Sequence, residues 1–247
     1  MGHYFSQLLE PLKGSSKTKL LKANQALQRE PGIGAWLSAP EPDEDITLDQ
    51  QSYLVIDIET SGFNPRKDAI LSVGFVPIEK GRINLAKAEH YYINDALNIN
   101  PDSAVVNHIT PQMLSQGEPL KQVLNYLFQS LIDHVPIAHG CWIEQQFLAA
   151  QLESIWNLKK LPLQWLDTLQ IEKARIANGC VPHHQDVRLT NLRQRYHLPE
   201  YQAHNALYDA IATAELFQVM TRAIYATKQP PSLKEFFHYQ QKARPSL

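Results

Sequence analysis

The longest apolar runs in the first half of the chain are broken by turn signals. Residues 53–58 are apolar except for Asp57, and a Thr-Ser-Gly turn follows at residues 60–62. Two further runs rich in β-forming residues cover residues 69–78 and 87–93. Three strands joined by such short connections predict an antiparallel three-strand meander.

The apolar spacing changes to a helical period in the second half of the chain. A stripe of apolar residues at three- and four-residue spacing runs from Leu120 to Ile132. Short apolar runs at residues 135–138 and 164–166 predict two more strands. A meander followed by alternating helices and strands predicts an α/β fold, in which a mixed sheet of antiparallel and parallel strands is flanked by helices. Helices are predicted over residues 120–132, 142–155, 168–177, 190–196 and 207–224.

The two ends of the chain carry a different pattern. Residues 1–29 are polar and mildly basic, with two short helical patterns. Residues 31–49 contain Gly, Pro and five acids without a base, which is typical of a linker. We therefore divide the chain into an N-terminal extension and linker at 1–50, a central domain at 51–228 and a tail at 229–247.

Composition narrows the class of protein. The chain carries 25 acidic and 23 basic residues, a net charge of −2, which excludes a broadly basic coat for wrapping nucleic acid. A local nucleic-acid site at which metal ions supply the positive charge remains compatible with this balance. Two cysteines cannot form a disulfide framework, and no apolar run is long enough to span a membrane. A cytoplasmic protein is therefore expected.

Two acidic side chains interrupt the first apolar strand. Asp57 and Glu59 stand at positions i and i+2, so both point to one face of the strand, about 6.6 Å apart along it. Buried carboxylates repel each other and lose hydration, and a divalent cation such as Mg²⁺ or Mn²⁺ relieves both penalties. The alternative is a strand end at which both acids reach water, or a capping role for Glu59.

A second polar cluster precedes the longest helical stripe. Asn205 is a favourable N-cap, which places Asp209 in the first helical turn near the positive end of the helix dipole. His204 then lies just outside the helix, and an imidazole can take a proton from a metal-bound water at neutral pH. The alternative is a capping His-Asn pair beside a solvated aspartate.

A third acid, Glu144, follows the predicted strand 135–138 through a Gly turn. It falls in the first turn of the next predicted helix, beside the carboxyl end of that strand. Taken alone it is weak evidence for a site, because acids in a first helical turn commonly interact with the helix dipole.

The order of these motifs along the chain is more specific than any one of them. D-x-E-T begins at Asp57, A-H-G-x-x-x-E ends at Glu144, and H-x4-D joins His204 to Asp209. On these motifs the chain resembles the DEDDh 3′→5′ exonucleases. They are the DnaQ-like group of the ribonuclease-H-like superfamily, which includes the DNA polymerase III epsilon proofreading subunit. The resemblance spans roughly residues 52–222.

The resemblance implies a ribonuclease-H-like mixed sheet and a two-metal hydrolase. Asp57, Glu59 and Asp209 would hold two Mg²⁺ or Mn²⁺ ions, Glu144 would complete the set, and His204 would deprotonate the attacking water. The implied reaction releases nucleoside 5′-monophosphates from the 3′ end of single-stranded DNA or RNA.

Glu144 departs from the family pattern, which has Asp at this position. The side chain is one methylene longer, and a displacement of about 1 Å can cost an active site about 100-fold in rate. The alternative function is therefore a catalytically weak or inactive exonuclease-fold module that binds nucleic acid or acts as a scaffold.

The candidates for substrate binding are Thr60, Phe63 and His108. The rings of Phe63 and His108 can stack on terminal bases, although core packing of Phe63 and capping by His108 fit the sequence equally well. Residues 173–195 carry five bases against one acid and form either a phosphate path or a solvated helix face. Residues 1–50 are the candidate binding region for a DNA polymerase or another protein partner.

Overall fold

The computed structural model describes residues 17–95, 108–182, 186–202, 204–225 and 228–242. Its centre is a mixed sheet with the order β3-β2-β1-β5-β6, and β4 pairs with β2 beside β3. β1 pairs antiparallel with β2 over its whole length and parallel with β5, which in turn pairs parallel with β6. The strands are β1 (Tyr53–Thr60), β2 (Ile70–Glu79), β3 (Arg82–Ile83), β4 (Glu89–Tyr92), β5 (Val135–Ala138) and β6 (Leu166–Asp167).

Helices cover both faces of this sheet, which confirms the predicted α/β class and the predicted meander followed by parallel strands. The predicted strand 87–93 is shorter, because Leu85–Lys87 form a 3-10 turn before β4. The helices are α1 (Lys17–Ala23), α2 (Ile33–Ser38), α3 (Pro111–Ser115), α4 (Leu120–Ser130), α5 (Trp142–Trp156), α6 (Thr168–Ala177), α7 (Leu189–Arg195), α8 (Ala206–Tyr225) and α9 (Leu233–Gln241), with a 3-10 turn at Gln25–Arg29.

The side chains on the two faces of β1 pack in two different hydrophobic cores. Leu54 and Ile56 pack in a core with α2, α4 and α5. Tyr53 and Val55 pack in a second core with α8 and α9. Because side chains alternate along a strand, Asp57 lies on the second face, under α8. The charged residues of β1 therefore stand at the end of an otherwise apolar, helix-covered face.

Residues 33–38 form a helix, where the sequence pattern indicated a linker. Ile33, Trp36 and Leu37 are buried in the first core. The start of α2 is held from α4, since the Asn125 side-chain oxygen accepts hydrogen bonds from the backbone N–H groups of Gly32 (3.0 Å) and Ile33 (3.3 Å). Glycines next to this short apolar stripe are typical of loops, so the sequence pattern indicated a linker.

The tail also contains a helix that packs on the domain. Ser232 and Glu235 form a capping box at the start of α9, and Leu233 and Phe236 are buried in the second core. The Gln240 side chain exchanges hydrogen bonds with the backbone of the β6 region. The domain division at residues 50 and 228 stays a prediction, and both flanking segments contribute buried side chains to the central sheet.

Within the described residues, the length and hydropathy of every helix fall short of what crossing a bilayer requires.

Candidate active site

The first two acids of the site come from the carboxyl end of β1. Asp57 is paired across the sheet with Gly74 of β2, and Glu59 with Ser72. Only 8% of the Glu59 surface is exposed. The strand therefore presents two carboxylates to the space beneath the first turn of α8.

Gly74 allows α8 to approach these acids closely. A Cβ atom at Gly74 would lie 2.3 Å from the carbonyl carbon of Ala206 and from the backbone nitrogen of Leu207, so a larger residue would clash with the helix backbone. α8 starts directly above this gap, and Asp209 lies in its first turn. Because Gly74 has no side chain, α8 can bring Asp209 close to the two acids of β1.

Asp57, Glu59 and Asp209 converge into one cluster. Each offers a carboxylate oxygen, and the three oxygens lie within 4.8 Å of one another. Three oxygen ligands at this spacing suit a hard divalent cation such as Mg²⁺ or Mn²⁺.

His204 stands at the entrance of this cluster. It is exposed and adopts a left-handed backbone conformation with φ of 66°. Its backbone N–H donates a hydrogen bond to the Asp209 Oδ2 atom at 2.9 Å. The Asn205 side chain accepts from the Tyr208 backbone N–H at 3.1 Å, which confirms the predicted cap. The cap and the turn hold the His204 backbone against Asp209 and leave the residue exposed to solvent.

Glu144 lies deeper than the other acids. It is buried in the first turn of α5, and its Oε2 atom has no hydrogen-bond partner. Its charge acts on Asp57, so the two carboxyl groups are neighbours. Glu144 does not belong to the cluster formed by Asp57, Glu59 and Asp209. The structure therefore places it beside the ligand cluster, with one oxygen unsatisfied.

The carboxyl groups of the site bind protons unusually tightly. Burial raises the pKa of Asp57 well above its ordinary value, and the charges of Glu144, Asp209 and Glu59 add to the effect. Burial and the charge of Asp209 raise the pKa of Glu59 to about 7. Burial raises the pKa of Asp209 as well. These shifts show a local excess of negative charge, which a bound cation would balance.

Burial also raises the pKa of Glu144, to about 8, and the charges of Asp167 and Glu59 act in the same direction. Hydrogen bonds to the backbone of Glu144 and Ile58 oppose this shift. Together with its unpartnered oxygen, this marks Glu144 as a buried acid whose charge the metal-free protein leaves uncompensated.

One further residue, Asp167, supports the site, although none of the three sequence motifs includes it. Asp167 caps α6 by accepting a hydrogen bond from the Leu169 backbone N–H (2.9 Å). It also accepts from the backbone N–H groups of Gly140 (2.8 Å) and Cys141 (3.2 Å). It therefore holds the turn that leads to Glu144. The available signal was its place at the end of a strand predicted to lie in the same sheet as strand 135–138.

The predicted substrate residues lie at the end of β1, in the loop that follows it, and just before α3. Phe63 is 77% exposed in the loop after β1, so its ring is not part of the core. The Thr60 hydroxyl donates a hydrogen bond to the Gly62 carbonyl at 2.7 Å, within the same loop. His108 is exposed, with φ of 54°. The cap of α3 is Thr110, whose hydroxyl accepts from the Met113 backbone N–H.

A cavity of about 180 Å³ lies beside the cluster, with His108 and His204 on its walls. Two buried polar atoms on its lining, Ser72 Oγ and His90 Nε2, have no hydrogen-bond partner. Ser72 is the cross-strand neighbour of Glu59, so this wall of the cavity lies next to the carboxylate site. The other lining residues are Tyr92, Ile109, Met113, Gln202 and Asn205.

Most of the predicted basic stretch is engaged in ion pairs. Arg175 and Arg195 contact the buried Glu172, and Arg188 contacts Asp186. Arg193, which the sequence suggested for a phosphate path or a solvated face, is 4% exposed and pairs with Glu215. The paired acids balance the charge of these arginines, which leaves less positive charge for a phosphate path.

Comparison with known proteins identifies the family to which this arrangement belongs. The family model described as exonuclease, RNase T, matches residues 54–217. The chain belongs to the RNase T exonuclease family. This confirms the resemblance to exonucleases that the sequence motifs indicated. The matched residues include all four acids and His204.

Two groups of curated relatives are similar over the same region. The "DNA polymerase III PolC-type" protein of Thermotoga maritima is 29% identical over 196 residues, which are 75% of this chain and 13% of that protein. The "3′-5′ exonuclease DinG" of Staphylococcus haemolyticus is 27% identical over 189 residues, which are 76% of this chain and 20% of that protein. The chain thus spans a fifth or less of the length of these relatives.

Solved structures share the fold. The nuclease domain of 3′hExo, a DEDDh family member bound to rAMP, has a TM-score of 0.59 and 18% identity, covering 72% of this chain and 95% of that one. Escherichia coli exonuclease I in complex with a dT13 oligonucleotide has a TM-score of 0.56 and 17% identity, covering 70% of this chain and 41% of that one. The ribonuclease-H-like fold class is confirmed.

Proposed function

We propose that the protein is a 3′→5′ exonuclease that releases nucleoside 5′-monophosphates from single-stranded DNA or RNA. The observation that carries this proposal is the convergence of Asp57, Glu59 and Asp209 within 4.8 Å beside His204. Membership of the exonuclease family supports it, as do the exonuclease named among the curated relatives and the oligonucleotide and nucleotide complexes named among the structural neighbours.

The acids fit two divalent ions, for which Mg²⁺ and Mn²⁺ are the candidates. Asp57, Glu59 and Asp209 would hold the ions, and Glu144 would complete the set. The mutual repulsion of these groups and the unsatisfied Glu144 oxygen support such a charge-balancing role. When bound, such ions would supply activation of the attacking water and charge stabilisation of the departing 3′ oxygen.

His204 would act as the general base. Its imidazole is exposed at the mouth of the cluster, so it can receive the proton of the attacking water and pass it to solvent. Its backbone N–H is bound to Asp209, which ties the position of the base to that of a metal ligand.

The cavity beside His204 would receive the terminal nucleoside. Tyr92 and Ile109 offer flat and apolar surface, and Ser72 and His90 offer unused polar atoms. Phe63, exposed on the loop after β1, would stack on a base without selecting its identity. Thr60, at the end of β1, would contact the same nucleotide through the loop that it stabilises.

The wider setting is also part of the proposal. The PolC-type relatives carry a polymerase name, which favours a DNA polymerase or another replication protein as the partner. Residues 1–50 are the proposed binding region, of which residues 17–50 pack on the domain. A cytoplasmic location fits the reduced cysteines expected from the sequence.

A second candidate function rests on Glu144. Its carboxyl group lies outside the three-oxygen cluster, so a module with weak or no catalysis, which binds nucleic acid or acts as a scaffold, remains the alternative.

The deciding experiment uses single-stranded DNA and RNA labelled at either end, incubated with Mg²⁺, Mn²⁺ or EDTA. We expect stepwise shortening from the 3′ end that disappears in EDTA and falls roughly a thousandfold or more in Asp57→Ala. Asp45→Ala, which removes an exposed carboxylate that is not part of the acid cluster, is the matched control and should retain full activity. Binding without turnover under every metal would favour the scaffold, and shortening from the 5′ end would contradict the proposal.

A further inference from the structure

We propose that Arg193 is a positioning residue for His204, because it fastens the loop that carries this histidine to the side of α8. The role rests on the proposed function of His204 as general base. Arg193 lies near the end of α7, and the chain then passes through residues 196–205 before α8 begins. Both His197 (φ 54°) and His204 (φ 66°) in this loop are left-handed, a conformation that non-glycine residues disfavour unless the surroundings hold it.

The guanidinium group binds the loop on one side. Its Nη2 atom donates a hydrogen bond to the Pro199 carbonyl at 2.7 Å. Its Cζ atom lies 4.7 Å from the centre of the Tyr201 ring, which covers its face. The loop is therefore held at two points before it reaches His204.

On the other side the same group binds α8. Nη1 donates to the Ala212 carbonyl at 2.6 Å, and Nη2 contacts the Glu215 carboxylate at 2.7 Å. The Tyr201 hydroxyl donates to the other Glu215 oxygen at 2.9 Å, which closes the set of contacts. We call Arg193, Tyr201 and Glu215 the arginine clamp.

The arginine clamp is connected to the acid cluster through α8 and through His204. α8 carries Asp209 one turn before Ala212, and the charge of Arg193 acts on the Asp209 carboxyl group. His204 is bound through its backbone to the same carboxyl group. A planar group that fixes both the loop and the helix thus fixes the distance between the base and the metal ligand. Lys cannot replace it, because an ammonium group has no planar fork to reach three separated acceptors.

The test compares Arg193→Lys and Arg193→Met with the wild-type chain on a labelled oligonucleotide. Because a shift of about 1 Å in a catalytic group costs about 100-fold, we expect kcat to fall tenfold to a hundredfold while KM changes less than about threefold. Arg195→Met is the matched control: Arg195 is on the same helix, but its side chain pairs with the buried Glu172 of α6, so its kcat should stay within about threefold.

A double-mutant cycle separates positioning from general stability. If Arg193 acts through the base, Arg193→Lys should lower kcat less than about twofold further once His204→Ala is present. An equal fractional loss in both backgrounds, or an equal loss in Arg195→Met, would overturn the proposal. Arg193→Lys retains the buried charge and serves if Arg193→Met does not fold.

Hydrogen exchange tests the arginine clamp without relying on catalysis. The His204 backbone N–H, bound to Asp209, should exchange at least about tenfold faster in Arg193→Lys, while amides of β1 keep their protection. Unchanged exchange at His204 would overturn the proposal even in an active enzyme. Faster exchange in a chain without nuclease activity would show that the clamp is correct and the proposed function is not.

Discussion

At the scale of single residues, the site consists of carboxyl groups whose burial lowers stability unless their charge is balanced. Asp57 and Glu59 stand on a strand in which Tyr53 to Ile56 and Ile58 are buried, and burial and the charges of neighbouring acids raise the pKa values of both. Such a conflict between local chemistry and burial is visible in sequence, and these two acids could be predicted for that reason.

The replacement Glu144→Asp tests how the deepest acid works. We expect activity to be retained or raised, because the shorter side chain restores the length that the family pattern has at this position, and the lost methylene costs only about 1 kcal/mol of stability. Steady-state rates on a labelled oligonucleotide measure the effect.

Glu144→Gln is the matched control, since it keeps the length of the side chain and removes its charge. It should lower the rate if the carboxylate helps to hold the ions. A hundredfold loss in Glu144→Asp would show instead that the longer acid is adjusted to this site.

Other residues could not be assigned from sequence. Asp167 is indistinguishable from an ordinary helix cap until the turn at Gly140 and Cys141 is seen against it. Arg193 looked like one base in a charged stretch, and only the tertiary structure shows that it is buried and bound to Glu215. Both roles depend on contacts between distant segments, which local pattern does not encode.

At the scale of elements, the close packing of α8 on the sheet sets the distance between Asp209 and the acids of β1. Gly74 leaves just enough room for the backbone at Ala206 and Leu207. We expect Gly74→Ala to push the start of α8 away from β2, which would separate Asp209 from the other two ligands. Activity should fall by about 100-fold or more, and the rise in melting temperature that we expect Mg²⁺ to cause in the wild type should be lost.

Gly81→Ala is a suitable comparison, because nothing lies within 4 Å of a Cβ atom there, although its φ of 68° strains the substitution. It should lower stability without changing the response to Mg²⁺. An active Gly74→Ala variant with normal metal response would show that α8 can shift without cost to the site.

The helices missed by sequence analysis had two different causes. α2 needs Asn125, from a distant helix, to satisfy its first backbone N–H groups, so its cap is invisible in the local sequence. α9 carries a local signal, the capping box of Ser232 and Glu235, which the mixed composition of the tail concealed. The strands and long helices were predictable because their apolar period continues over many residues.

At the scale of the whole molecule, residues 17–50 pack against the central sheet and its helices. Trp36 is 2% exposed and packs against Phe128, with ring centres 5.4 Å apart. We expect Trp36→Ala to lower the free energy of unfolding by about 3–5 kcal/mol. Leu85→Ala, at a side chain that is 61% exposed, should change it by less than about 0.5 kcal/mol. Equal denaturation midpoints for both variants would favour a separate N-terminal extension.

The acid cluster should also make the stability of the metal-free protein fall as pH rises. The pKa of Glu59 is about 7 in the folded protein against 4.5 normally, so between these values the folded state holds a proton that the unfolded chain has released. Folding is therefore favoured below this window and progressively weakened across it. Melting curves in EDTA between pH 5 and 8 should show this loss relative to the double variant Asp57→Asn, Glu59→Gln.

Added Mg²⁺ should reverse the trend, because metal binding requires the deprotonated carboxylates. The gain in melting temperature should be larger at pH 8 than at pH 5 and absent in the double variant. A wild-type curve parallel to that of the double variant in EDTA would contradict the picture of a repelling cluster.

The last long helix has a consequence for the protein's own synthesis. Asp57 and Glu59 emerge from the ribosome early, but α8 and with it Asp209 follow only after Ala206. A nascent polypeptide that has not reached this point lacks the ligand that closes the cage and the histidine beside it. We therefore expect the proposed nuclease to stay inactive until the ribosome has completed the start of α8.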